Sequence, residues 1–196
     1  EIPLCLVGSE MCIRDRDPEK PFFLYLSHKA VHSDAVPAPR HRGQYRDTQF
    51  ELPETVAVTD DYIEGKPMWV KNQRNSWHGI DFFYASDRAM TDYLRDYYGA
   101  LSSVDDSMGR LRAVLEGLNL ADDTVIVFYS DNGFLTGDHG LIDKRNAYEA
   151  SVKVPMIVYA PEDAKGGSTN KTRIRNLDLA PTFLDIAGIQ KPKQFE

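Results

Sequence analysis

Residues 124–133 read TVIVFYSDNG and give the clearest indication of the protein's fold class. Its first six residues are all β-branched or aromatic, which indicates a strand that is buried on both faces. The strand stops at Ser130-Asp131-Asn132-Gly133, because Asp, Asn and Gly favour turn geometry. Strands of this kind are typical of parallel sheets covered by helices on both sides.

Further apolar runs and helical patterns lie on both sides of this strand in the sequence. Residues 21–27 (PFFLYLS) and 154–159 (VPMIVY) form two further apolar runs. Apolar residues recur every three or four positions from Ser86 to Leu118, which predicts a long amphipathic helix. A second helix is predicted over Leu179–Ala187, with Asp178 as its N-cap and Gly188 just past its end. This order predicts an α/β fold with a mostly parallel sheet flanked by helices.

Composition excludes several classes of function. Apolar residues make up 42% of the 196, charged residues 27%, and the net charge is −7. A chain this acidic is a poor ligand for nucleic acid phosphates, so we expect no nucleic acid partner. No apolar run reaches the roughly 18 residues of a membrane span, so we expect no membrane-spanning helix.

The first sixteen residues (EIPLCLVGSEMCIRDR) have no clear helical or strand period. Residues 4–16 resemble a translated sequencing adapter, so we expect residues 1–16 to be an artefact of sequence assembly. The alternative is a genuine N-terminal strand and turn. Both cysteines, Cys5 and Cys12, lie in this segment, so cysteine usage says nothing about the rest of the chain.

Polar residues follow two of the predicted strands. In open α/β sheets, ligands bind outside the carboxyl ends of the strands. His28 and His32 follow the run over residues 21–27, and Asp131 and Asn132 follow the run over residues 124–129. Asp131 and Asn132 offer two hard oxygens of the kind that suit Ca²⁺ or Mg²⁺. Lys144, twelve residues beyond Asn132, can hold an anionic oxygen. Each feature alone is more often an ordinary turn, a loop histidine or a solvated charge.

The joint pattern is far more specific than its parts. It runs PFFLYLSHKAVH, a long helix, TVIVFYSDNG, GDHG, KxxxYE, VPMIV and DLAPTFLDIAGI. This order closely resembles the formylglycine-dependent sulfatases of the alkaline phosphatase superfamily, from about Pro21 to Pro192. The block around His32 is most similar to bacterial mucin-desulfating and N-acetylglucosamine-6-sulfatase types.

The resemblance implies roles for individual residues. Asp131 and Asn132 match calcium ligands, with Mg²⁺ as the alternative ion. Lys144 matches the lysine that holds the sulfate group, and His32 matches the histidine that contacts the sulfate or the leaving oxygen. His28 and His139 are expected to bind substrate. The long excursion over 50–85, predicted to have little regular structure, adds Trp69, Arg74, Trp77 and His78, which would suit a sulfated sugar by stacking and charge.

The family's nucleophile is a formylglycine made from a Cys or Ser in a Cys/Ser-x-Pro/Ala-x-Arg motif, and neither cysteine here fits that motif. We therefore expect residues 17–192 to be part of a sulfatase catalytic domain and residues 193–196 a truncated linker. The chain by itself is then expected to be inactive. In the parent enzyme the resemblance implies that hydrated formylglycine attacks sulfur while Lys144 and His32 stabilise charge.

The resemblance implies a sulfated carbohydrate or an aryl sulfate as substrate and an extracytoplasmic location. Two alternatives stay open. One is a phosphoryl or phosphonate hydrolase, or a phosphoethanolamine transferase, of the same superfamily. The other is a degenerate, non-catalytic sulfatase that binds a sulfated glycan. Asn132 favours a sulfatase over the phosphoryl-transfer enzymes, which commonly carry His there.

Overall fold

A computed structural model describes residues 13–57, 64–73 and 88–193. The helices in these ranges are α1 (Met68–Gln73), α2 (Met90–Gly117), α3 (Glu149–Val152) and α4 (Leu179–Ile186). The strands are β1 (Ile126–Phe128), β2 (Leu135–Thr136), β3 (Ile142–Asp143) and β4 (Ile157–Tyr159), and single 3-10 turns cover Pro39–His41, Glu54–Val56, Asp138–Gly140 and Asn176–Asp178. Across these described ranges, every helix is too short or too polar to cross a bilayer.

The long helix α2 organises the core. Its buried residues recur at the predicted three- and four-residue spacing: Met90, Tyr93, Leu94, Gly99, Ala100, Val104, Leu111 and Leu115. Gly99 marks a close approach, since a Cβ there would lie 3.0 Å from the side chain of Pro37. Gly109 has nothing within 4 Å of such an atom and lies on the solvent side. One apolar stripe therefore faces the core along the whole helix.

Two apolar clusters pack against the two ends of α2. The first contains Ala35, Met90, Tyr93, Leu94 and Ile142. The second contains Ile13, Leu111 and Leu115, with Phe22, Leu24 and Ile126 packed against it. Ile13 belongs to the segment that we expect to be an artefact, yet it is only 3% exposed. The second cluster therefore packs both residues 21–27 and β1 against α2.

The alternation of helices and strands confirms the α/β class, but the strand pairing differs from the expectation. β1 pairs with β4 and β2 pairs with β3, and both pairs are antiparallel. The described residues form no parallel pair, although a mostly parallel sheet was predicted. The reason is physical: a continuous apolar run reports burial on both faces and carries no information about the direction of its neighbour.

Residues 21–27 form no ladder in the structure, although they were predicted to be a strand. They nevertheless run beside β1, because Leu24 and Ile126 pack against one cluster and the Tyr25 side chain hydrogen-bonds Tyr129. These contacts place residues 21–27 near β1, beside the end of α2 that carries Leu111 and Leu115.

The remaining predictions hold in part. α4 begins at Leu179 with Asp178 at its N-cap position, and Gly188 follows its end at φ 65°. The Asp178 carboxylate, however, caps nothing in α4, since it accepts hydrogen bonds from Arg175. Within the described part of 50–85, α1 was not predicted, because six residues are too few for a helical period to be visible.

Candidate active site

The turn after β1 presents oxygen atoms toward solvent. Asp131 Oδ1 accepts a hydrogen bond of 3.0 Å from the backbone N–H of Asn132, and the Asn132 side-chain N–H donates to the Gly133 carbonyl at 2.7 Å. The first bond orients the carboxylate and the second turns the amide oxygen away from the backbone. Asp131 is exposed. Two hard oxygens on consecutive residues are thus available to a cation.

Asn176 holds this turn from the other side. Its side-chain N–H group donates to the Asp131 carbonyl at 3.0 Å and to the Ser130 carbonyl at 3.3 Å. Asn176 lies just before α4, so the turn is tied to a segment 45 residues away. This bond could not be predicted from the sequence, because a single Asn near a helix start carries no local signal for a distant partner.

Gly133 allows the backbone behind the turn to touch α3. Its N–H donates to the Ser151 carbonyl at 2.8 Å. A Cβ at Gly133 would overlap the Ala150 carbonyl oxygen and would lie 3.0 Å from the Lys153 oxygen. The Asp-Asn-Gly run predicts a turn here but carries no signal for the partner that the turn contacts.

The hairpin β2–β3 carries His139 at its closed end. Gly137 and Gly140 turn the chain there with φ 108° and 65°, and His139 itself has φ 57°. The Thr55 hydroxyl accepts the His139 backbone N–H at 2.9 Å. The ring of His139 stacks on Tyr148, with centroids 3.9 Å apart. His139 is thereby fixed in place about one hairpin length from Asn132.

Lys144 lies at the open end of the same hairpin. Asp143 pairs with Leu135, so Lys144 directly follows the last paired residue of β3, and β2 begins three residues after Asn132. The φ of 92° at Asp143 turns the chain at this point. Lys144 is half-buried. Lys144 and Asn132 therefore flank the same end of the β2–β3 hairpin along the chain.

The loop that follows Lys144 is anchored on both sides. The buried side-chain amide of Asn146 donates to the Gln73 side-chain oxygen, which joins the loop to α1. Arg145 forms an ion pair with Asp143, which is 10% exposed. Two residues on from Asn146, Tyr148 stacks on His139. Lys144 therefore sits in a loop with little freedom to move.

The two histidines after residue 27 differ in their surroundings. His28 Nε2 is 2.9 Å from the Ser107 Oγ on α2. Burial, and then the Arg110 charge, hold the pKa of His28 below its usual value. His32 is exposed, with its Nδ1 3.3 Å from the Ser33 carbonyl oxygen. The structure thus places His28 against the core helix, whereas His32 can reach a ligand.

Tyr129 adds a phenol at the strand end. Burial, followed by the neighbouring Tyr25, raises the pKa of Tyr129 above its usual value. The phenol is therefore neutral at physiological pH. It lies two residues before Asp131 and is hydrogen-bonded to Tyr25.

The donor set fits a hard cation in type but not in number. Calcium takes about six to eight oxygens, and Asp131 and Asn132 supply only two of the ligands. Within residues 13–57, 64–73 and 88–193, no three His, Cys, Asp or Glu side chains group as a metal site. Arg74, Trp77 and His78, which were predicted to contact substrate, lie outside the described residues.

Comparison with known proteins identifies the family of the chain. The family model described as Sulfatase matches residues 9–189. N-acetylglucosamine-6-O-sulfatase of Bacteroides thetaiotaomicron is 32% identical over 238 aligned residues, which cover 94% of this chain and 42% of that protein. The chain therefore spans about two fifths of this curated relative.

Two solved structures share the fold. BT4656, solved in complex with its substrate D-glucosamine-2-N,6-O-disulfate, matches 95% of this chain and 48% of its own, with TM-score 0.75 and 28% identity. The phosphonate monoester hydrolase of Silicibacter pomeroyi matches 96% of this chain and 38% of its own, with TM-score 0.81 and 24% identity, and shows the fold alone. The predicted alkaline-phosphatase-like class is confirmed. With the family model covering nearly all of its length, the chain belongs to the sulfatase family.

Proposed function

We propose that the full-length protein hydrolyses sulfate esters of a sulfated sugar. The observation that carries this proposal is the match to the Sulfatase family over residues 9–189. The sugar is supported by two similarities, one to a protein named N-acetylglucosamine-6-O-sulfatase and one to a structure that holds a sulfated glucosamine. An aryl sulfate would serve as a simpler substrate of the same chemistry.

The residues of this chain would bind and neutralise the sulfate group. Asp131 and Asn132 would hold Ca²⁺, which supplies charge stabilisation to a sulfate oxygen when it is bound. Lys144, which directly follows β3, would pair with a second sulfate oxygen. His32 would contact the sulfate or donate a proton to the leaving oxygen. Fixed positive groups of this kind stabilise the charge that develops in the transition state.

The nucleophile would come from elsewhere in the protein. A formylglycine is expected from the family resemblance, and neither Cys5 nor Cys12 lies in the motif that would produce one. We therefore expect the purified 196-residue chain to release no sulfate. The same resemblance supports an extracytoplasmic location for the full-length protein.

A phosphonate or phosphate monoester hydrolase is the competing function, because such an enzyme shares the fold. Asn132 separates the two candidates. An amide offers a neutral hard oxygen, whereas a His at that place would suit zinc. A non-catalytic sulfated-glycan-binding protein would keep affinity for the sugar without turnover.

The test measures sulfate release from N-acetylglucosamine-6-sulfate by the full-length protein. Lys144→Ala should lower kcat by about 10²- to 10³-fold, the usual loss when one transition-state donor is removed. Lys153→Ala is the matched control, because Lys153 is 79% exposed and forms only a long 3.8 Å ion pair with Glu149. Near wild-type turnover of Lys144→Ala would contradict the assigned role.

A further inference from the structure

We infer that Asn176 is a positioning residue, which orients the candidate calcium ligands Asp131 and Asn132 through the backbone of their turn. This inference rests on the proposed function and extends the site to a residue that the sequence motifs did not include. The Asn176 side-chain N–H group donates to the Asp131 carbonyl oxygen at 3.0 Å and to the Ser130 carbonyl oxygen at 3.3 Å. Asn176 is exposed, so apolar packing contributes little to holding its side chain in this place.

The peptide group between Asp131 and Asn132 carries this orientation to the carboxylate. The carbonyl and the N–H of a trans peptide group lie in one plane and point in opposite directions. Asn176 holds the carbonyl of this group, and the N–H of the same group donates to Asp131 Oδ1 at 3.0 Å. A hydrogen bond to the carbonyl also polarises the N–H and strengthens the bond that it makes. Asn176 therefore sets the direction of the Asp131 carboxylate without a bond to the carboxylate itself.

The hydrogen bonds around the turn leave two oxygens for a cation. Among the residues that the structure describes, donors reach only Oδ1 of Asp131: the Asn132 N–H at 3.0 Å and the Ser130 hydroxyl at 3.4 Å. Oδ2 is therefore available. The Asn132 side-chain N–H donates to the Gly133 carbonyl, which leaves the amide oxygen of Asn132 available as well. Calcium prefers carboxylate and amide oxygens, and groups that orient such ligands tune the affinity of a metal site.

The segment that carries Asn176 is itself held in place. Asn176 begins the 3-10 turn that precedes α4. Arg175 is tied to Asp178 across this turn, by its backbone N–H and by its guanidinium, each at 2.8 Å. α4 follows directly, and its Phe183 ring lies 5.7 Å from the ring of Phe23. The Asn176 amide is therefore presented from an ordered segment, and it couples the start of α4 to the cation turn.

The experiment compares Asn176→Ala and Asn176→Gln with Asn170→Ala in the full-length protein. Asn170 is the matched control, because it is an exposed Asn in the same segment whose Oδ1 accepts the local Thr172 N–H at 2.8 Å. Calorimetry with Ca²⁺ alone should give a Kd about 10- to 100-fold higher in Asn176→Ala, the usual effect of removing a group that orients a metal ligand. Asn176→Gln keeps the donor and should recover part of the loss, and Asn170→Ala should match wild type.

Turnover separates positioning from a purely structural role. With N-acetylglucosamine-6-sulfate, the kcat of Asn176→Ala should be low at a Ca²⁺ concentration near the wild-type Kd. It should return to near wild type when Ca²⁺ exceeds the higher Kd of the variant. Thermal unfolding without metal should give Asn176→Ala and Asn170→Ala similar midpoints.

The outcomes distinguish this inference from the proposed function. An unchanged Kd in Asn176→Ala, or a loss of kcat that excess Ca²⁺ does not restore, would overturn the inference while leaving the proposed function intact. Absence of calcium binding in wild type would overturn it too. Absence of sulfate release with the difference in Kd retained would contradict the proposed function alone.

Discussion

Replacing Gly133 by Ala should break the contact between the candidate cation turn and α3. The new Cβ would overlap the Ala150 carbonyl oxygen and lie 3.0 Å from both the Ala150 carbonyl carbon and the Lys153 oxygen. All three are backbone atoms, so no flexible side chain can move aside. The shift would also lengthen the 2.8 Å hydrogen bond from Gly133 to Ser151.

The magnitude follows from these two effects. Overpacking costs about 1–3 kcal/mol and a lost hydrogen bond about 0.5–1.5 kcal/mol, so the free energy of unfolding should fall by about 2–4 kcal/mol. Gly109→Ala is the control, since Gly109 is in α2 with nothing within 4 Å of an added Cβ. That variant should gain about 0.5–1 kcal/mol from helix propensity.

The assay is equilibrium urea unfolding of the chain, followed by far-ultraviolet circular dichroism. The two variants should shift the midpoint in opposite directions, and Gly133→Ala should also lower sulfate release when placed in the full-length protein. A Gly133→Ala chain that is as stable as Gly109→Ala would refute the close approach at this turn.

Three further outcomes are expected. Added Ca²⁺ at 100 times its Kd should stabilise the full-length protein by about 2.7 kcal/mol. Thermal unfolding should show that Asp131→Ala largely loses this stabilisation and that the Asp123→Ala control keeps it. An equal gain in both variants would count against Asp131 as a calcium ligand. Hydrogen bonds from His41, then Arg40, hold the pKa of Asp106 below 3.8. The Asp106 carboxylate therefore stabilises the fold above pH 3.8, and this stabilisation is lost as pH falls through the pKa of folded Asp106. Urea titrations at different pH should find this dependence missing in Asp106→Asn. Burial lowers the pKa of folded His28, so the unfolded chain binds more protons than the folded chain between pH 6.5 and that lower pKa. Stability should therefore fall as pH drops from 6.5 toward the folded pKa in wild type, and fall less in His28→Gln.

The long periodic elements could be predicted from the sequence. The helix predicted from Ser86 to Leu118 is found as Met90–Gly117, and the run ending at Tyr129 contains β1. Both predictions succeed because a helix buried on one face and a strand buried on two faces each leave a recognisable pattern of apolar residues in the sequence. The direction of strand pairing leaves no such pattern, which is why the antiparallel partners of β1 and β2 were missed.

The candidate site residues stand in short local motifs, whereas the contacts around them join distant segments. Asp131 and Asn132 come before β2 and Lys144 directly follows β3, and their roles stay predictions. The bonds from Asn176 to the turn and from Asn146 to Gln73 join residues 45 and 73 positions apart. Such pairs depend on the folded arrangement, and single amide residues carry no local signal for it.

The most direct test of the account is the preference of the full-length protein between two ester classes. N-acetylglucosamine-6-sulfate and a phosphonate monoester would be compared by kcat/KM under the same conditions with Ca²⁺ present. The account predicts that the sulfate ester is hydrolysed with the higher kcat/KM, and that Lys144→Ala removes this activity. Efficient cleavage of the phosphonate with no release of sulfate would contradict it.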